Sequence, residues 1–91
     1  MKKYLISYDL RWTWHNYMPF YDALKALSTK YIHFIENSWF IESELTASEI
    51  YNKLKTELFE QDQIFIVEIT NVTNYSGFFV TSAWKWLKGE E

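Results

Sequence analysis

Lys3-Tyr4-Leu5-Ile6-Ser7-Tyr8-Asp9-Leu10 alternates along its length: Tyr4, Ile6, Tyr8 and Leu10 fall on one face, Leu5, Ser7 and Asp9 on the other. A period of two built from aromatic and branched side chains is the pattern of a half-buried strand. A carboxylate, Asp9, stands at its C-terminal end. Residues 11–17, Arg-Trp-Thr-Trp-His-Asn-Tyr, carry no period and read as a loop. Pro19 suits the first turn of a helix, where its missing N–H costs nothing. Phe20, Leu24, Leu27 and Tyr31 then recur at helical spacing, which predicts a helix from about 18 to 29.

Two short strands follow at 31–35 and 38–43. Glu36-Asn37 is either the turn between them or part of one bulged strand. Thr46-Ala47-Ser48-Glu49 is a capping-box pattern, with Leu45 and Ile50 placed for a hydrophobic staple. Ala47, Ile50, Leu54 and Leu58 form the apolar stripe of a second helix, which Gln61-Asp62-Gln63 breaks. Ile64 to Ile69 reads as a fourth strand. Ser76-Gly77 marks a turn, and Ser82 to Lys88 a short final helix.

The order β-α-β-β-α-β predicts an α+β, ferredoxin-like domain with a four-stranded antiparallel sheet and two helices on one face. Right-handed crossovers put strands one and three in the centre and strand four beside strand one. The helix-covered face is assigned Tyr4, Ile6, Tyr8, Trp39, Ile41, Phe65, Val67 and Ile69. Leu5, Ser7, Asp9, Ser38, Phe40, Glu42, Ile64, Ile66 and Glu68 take the other face. That second face is half apolar, which suggests a partner surface and a homodimer.

With 91 residues the chain fits one domain, and a hydrophobic fraction of 48% supplies a core. Cysteine is absent, so neither a disulfide framework nor a thiolate metal site is available, in keeping with a cytoplasmic setting. The apolar run Tyr4-Leu5-Ile6 is too short for a signal peptide or a membrane span, and no membrane partner is expected. The net charge of −3 gives no general attraction for phosphate, so nucleic-acid binding needs a local basic patch or a partner chain.

The chemistry-bearing residues are few. Asp9 can ligate a hard cation such as Mg2+ or Mn2+, or simply end a strand in solvent. Glu42 and Glu68 lie on the order of 13 Å further along the sheet, so one chain offers one carboxylate at that place. A two-fold axis would bring a second Asp9. Arg11, Trp12, Trp14 and His15 form a loop that reads in two ways. Its rings and guanidinium suit bases and phosphate; equally, Trp12 and Trp14 can pack over the sheet edge or in a dimer contact. With only Gly77 and Gly89, a glycine-rich nucleotide cradle is excluded.

Tyr4 to Leu10, ending in Tyr8-Asp9, resembles the first strand of the CRISPR-associated endoribonucleases of spacer adaptation. Ser38-Trp39-Phe40 and the helix start at Thr46 resemble that family's corresponding segments, over about residues 3–70. Trp86-Leu87-Lys88 is similar to the ending of stand-alone SinR-like relatives, and VapD-type toxin ribonucleases share the core. The resemblance implies a homodimer in which Asp9 of each chain holds a divalent metal for phosphodiester cleavage, with Tyr8 at a catalytic position and Ser38 and Phe40 near the RNA or DNA. The family's Arg-rich stretch after the aspartate is replaced here by aromatics with Arg11 alone. Two function classes therefore stand: a metal-dependent nuclease, and a non-catalytic dimeric module, including a phage-derived inhibitor, that binds a protein partner or nucleic acid.

Overall fold

Strand β1 (Lys2–Asp9) keeps the alternation seen in its sequence: Tyr4, Ile6 and Tyr8 are buried, and Leu5 and Ser7 are half-buried on the opposite face. The structure, a computed structural model, describes residues 1–89. Helix α1 (Met18–Leu27) starts with Pro19 in its first turn, and its buried residues are Phe20 and Leu24. It stops two residues earlier than its periodicity suggests, because Ser28 is extended and its hydroxyl turns back to Leu24 O at 2.6 Å. Strands β2 (Lys30–Ile35) and β3 (Ser38–Ser43) form a hairpin, with a register shift between Ile32 and Ile35 inside β2. The capping box of α2 (Ala47–Leu54) is complete: Glu49 N–H donates to Thr46 Oγ1 at 3.1 Å, and Thr46 N–H donates to Glu49 Oε1 at 2.8 Å. A single 3-10 turn, Lys55–Glu57, continues it before β4 (Gln63–Glu68). Helix α3 (Thr81–Lys88) closes on Gly89, whose positive φ of 78° suits glycine past a helix end.

The sheet order is β2-β3-β1-β4, all pairs antiparallel. With β1 and β3 central and β4 beside β1, this is the ferredoxin-like arrangement that the element order predicts. Phe20 and Leu24 of α1 and Ile50 and Leu54 of α2 meet Tyr4, Ile6, Tyr8, Trp39 and Ile41 in one core, so both helices lie on one face. Each fully buried aliphatic chain there contributes about 1.5–3 kcal/mol. His33, Tyr31 and Tyr21 gather around Trp39; the imidazole stacks 4.6 Å from it at 21°.

Strand β4 has the opposite parity from the sequence assignment. Directly paired residues share a face, and the register sets Ile64 against Tyr8, Ile66 against Ile6 and Glu68 against Tyr4. Ile64 and Ile66 therefore pack on the helix-side core, while Phe65 (65% exposed) and Val67 face the other way. Glu68 thereby leaves the face shared by Asp9 and Glu42. Four consecutive apolar residues gave no polar alternation from which to read the parity.

The second face is not helix-free. Trp86 and Ala83 of α3 are buried, and the Trp86 ring stacks on Phe40 at 5.9 Å and 13°. Phe79 adds a contact to Phe40 at 5.6 Å. Lys3 Nζ donates to Trp86 O at 2.5 Å and lies 4.9 Å from the ring centroid, a cation at the carbonyl end of α3. The sequence predicts this helix but not its seat.

Candidate nucleic-acid interface

The sheet register orders the second face into rows. One row runs Ile32, Phe40, Leu5, Val67; the next runs Ile35, Ser38, Ser7, Phe65; beyond it Asp9 pairs with Gln63. Helix α3 sits over Phe40 and Lys3. The end of the face at Asp9 carries a shallow depression of about 230 Å3 lined by Ser7, Tyr8, Asp9, Gln63, Ile64 and Phe65. Enclosed small-molecule sites run from about 300 to 1,000 Å3, so this depression is smaller and more open than such a site.

Asp9 is exposed, and its carboxylate pairs with the Arg11 guanidinium at 3.3 Å. Both side chains are about half exposed, so the pair contributes on the order of 0–1 kcal/mol. Its consequence is positional: a cation and an anion stand together at the mouth of the loop. Among the described residues, no group of three His, Cys, Asp or Glu side chains is set to hold a metal ion.

The 11–17 loop is tied down by one residue that the sequence marks only as a helix breaker. The Asp62 carboxylate accepts from Arg11 N–H at 2.8 Å, from Phe59 N–H at 2.8 Å, and from the Tyr17 hydroxyl at 2.8 and 2.9 Å. The Tyr17 oxygen in turn accepts from Trp12 N–H at 3.3 Å. Burial, then the hydrogen bond to Asp62, raises the Tyr17 pKa above its ordinary value, so the phenol stays a donor. The Trp12 indole N–H donates to Glu60 O. His15 lies flat on Phe59, centroids 3.7 Å apart and planes 3° apart. Trp14 packs edge-on against Trp12 at 4.9 Å and remains 71% exposed. The loop is thus a hydrogen-bonded bracket that presents one tryptophan to solvent.

The site residues named from the sequence divide accordingly. Asp9, Arg11, Trp12, Trp14 and His15 are brought together at one end of the sheet, with Ser38 half-buried in the adjoining row. Tyr8 lines the depression beside Asp9, but its hydroxyl is not among them. Consecutive strand residues point to opposite faces, and its hydroxyl donates to Glu36 O at 3.2 Å and accepts from the Trp39 indole at 3.0 Å, within the helix-side layer. Burial raises its pKa far above the ordinary tyrosine value. Phe40 is half-buried, with Trp86 and Phe79 packed against it. Asp62, Phe59 and Glu60 were missed. Their part depends on a fold-back of about fifty residues, for which a lone Asp in a polar turn gives no local signal.

Comparisons with protein-family models, curated proteins and solved structures find no match. No helix among the described residues is long and apolar enough to cross a membrane.

Proposed function

We propose that the chain is a cytoplasmic, nucleic-acid-associated homodimer that makes contact through the 11–17 loop and the Asp9 end of the sheet. The observation that carries this reading is Trp14, 71% exposed on a loop whose backbone the Asp62 carboxylate holds in place. A fixed ring loses little entropy when a base stacks on it, and Arg11 beside it suits a phosphate. The row left open beside α3, with Phe65 and Ile35 exposed at its ends, supplies apolar surface on both edge strands for a second copy. The resemblance of Tyr4 to Leu10 and of Ser38-Trp39-Phe40 to the CRISPR-adaptation, SinR-like and VapD-type proteins supports the same class.

The test pairs sedimentation with anisotropy of a labelled single-stranded oligonucleotide. Wild type should sediment as a dimer at tens of micromolar, a range where ordinary specific interfaces persist. Trp14→Ala should melt like wild type and lose about tenfold in affinity, the loss of one stacked base. Unfolding by this substitution would make the ring part of the core. A wild type that binds no oligonucleotide would leave the same surface to a protein partner, as the acidic net charge of −3 favours.

Cleavage is a second reading, favoured by the exposure of Asp9 at a strand end on the open part of the sheet. Two copies related by a two-fold axis would then share one Mg2+ or Mn2+ between their Asp9 carboxylates. Asp9→Asn should abolish chelator-sensitive cleavage of RNA or DNA while leaving the melting temperature within about 2 °C, since its pair with Arg11 contributes little. Equal cleavage by both proteins would exclude Asp9 from the chemistry.

A further inference from the structure

The irregular segment 70–77 and α3 enclose an open trough at the Lys3 end of β1. From Lys3 to Asp9 is about 20 Å along the strand, so the trough lies at the end of the sheet away from Trp14. Among the described residues its lining includes Lys3, Lys85 and Lys88 and no Asp or Glu. In a chain of net charge −3 this concentrates positive potential in one place. Glu68 accepts from the Thr70 hydroxyl at 2.8 Å on the trough margin. Tyr75 and Trp84 stack 5.8 Å apart at 21° on its wall, and Tyr75 is 37% exposed. The trough measures about 1230 Å3, beyond the roughly 300–1,000 Å3 of sites for single small molecules. An open trough lined by three lysines, with a partly exposed ring on its wall, matches a chain of phosphates with unstacked bases.

We propose that this trough is a second contact for single-stranded nucleic acid, with Lys85 and Lys88 on the phosphates and Tyr75 under a base. The proposal rests on the nucleic-acid reading above and extends it: one strand engages both ends of β1. Lys85 and Lys88 are exposed on α3, so replacing them leaves the packing of Trp86 and Ala83 untouched.

The experiment titrates a fluorescein-labelled oligouridine with wild type, K85Q/K88Q and W14A across a range of salt concentrations, with thermal melts of each. K85Q/K88Q should bind about tenfold more weakly, and its log–log salt slope should be shallower by about 1 to 1.5, as two lost phosphate contacts on a single strand require. W14A should weaken binding with the slope unchanged. Wild-type affinity and slope in K85Q/K88Q, with W14A still impaired, would overturn the trough and leave the loop reading intact. Absence of wild-type binding at low salt would overturn both. Glu90 and Glu91 follow Gly89 in the sequence. Replacing both with glutamine should leave affinity equal or tighter, and a loss would overturn the assignment.

Discussion

Trp86→Ala is expected to lower stability by about 3–5 kcal/mol, the usual cost of emptying a buried tryptophan site. A domain of this size is stable by only about 5–15 kcal/mol, so this is the largest single-residue effect expected outside the helix-side core. The ring is 1% exposed and bridges α3 to the sheet through Phe40, while Lys3 reaches the carbonyl of the same residue. Without it α3 has no large buried side chain left, since Ala83 is small. The variant should lose helical signal, bind an apolar dye, and self-associate through the uncovered Leu5 and Phe40. Trp86→Phe should cost less. It keeps a ring over Phe40 and removes the indole N–H, which has no hydrogen-bond partner although it is buried. A Trp86→Ala protein melting within about 2 °C of wild type would show that α3 does not hold this seat.

Asp62→Ala is expected to release the 11–17 loop. Three donors lose a charged acceptor: two backbone amides, Arg11 and Phe59, and the Tyr17 hydroxyl. Hydrogen bonds to charged groups are worth about 1.5–3 kcal/mol each, but water can reach this half-buried place and replace part of that. A net loss of about 2–3 kcal/mol follows, or on the order of 10 °C in melting temperature for a domain of this length. Amide exchange at Arg11 and Phe59 should accelerate, and oligonucleotide affinity should fall although Asp62 touches no ligand. Asp62→Asn keeps an acceptor oxygen of the same reach and should fall between the two. If Asp62→Ala keeps both the melting temperature and the affinity, the bracket does not organise the loop.

Much of the body was legible because its signals are local. The alternation from Tyr4 to Tyr8, Pro19 ahead of an apolar stripe, and Thr46 three residues before Glu49 each specify an element from within a few residues. Once the order of elements was fixed, the rules of chain crossover fixed the order of strands. The parity of β4 was hidden because Ile64, Phe65, Ile66 and Val67 are all apolar. Only pairing with β1 decides which pair points inward. The partial cover of Phe40 was hidden for a related reason: its sheet face looks half apolar in sequence because Trp86 and Phe79, some forty residues later, pack against it. At the candidate interface, the sequence named the presented residues, Arg11 and Trp14, but not the carboxylate that positions them. Exposed aromatics are visible in composition; a tertiary acceptor is not.

The seat of α3 also has a consequence in time. Tyr4 to Leu54 already contain every buried residue of the helix-side core. The contact between Lys3 and Trp86 joins residues 83 apart, and it comes from the last helix of the described chain to be synthesised. Distant contacts form late because the intervening loop must first be closed. A refolding chain is therefore expected to pass through a stage in which the sheet has formed while Phe40 still lacks the cover of Trp86. At that stage the chain's own final helix competes with any other apolar surface for the same ground. Docking of that helix is intramolecular, so dilute refolding is expected to favour it and concentrated refolding to favour association.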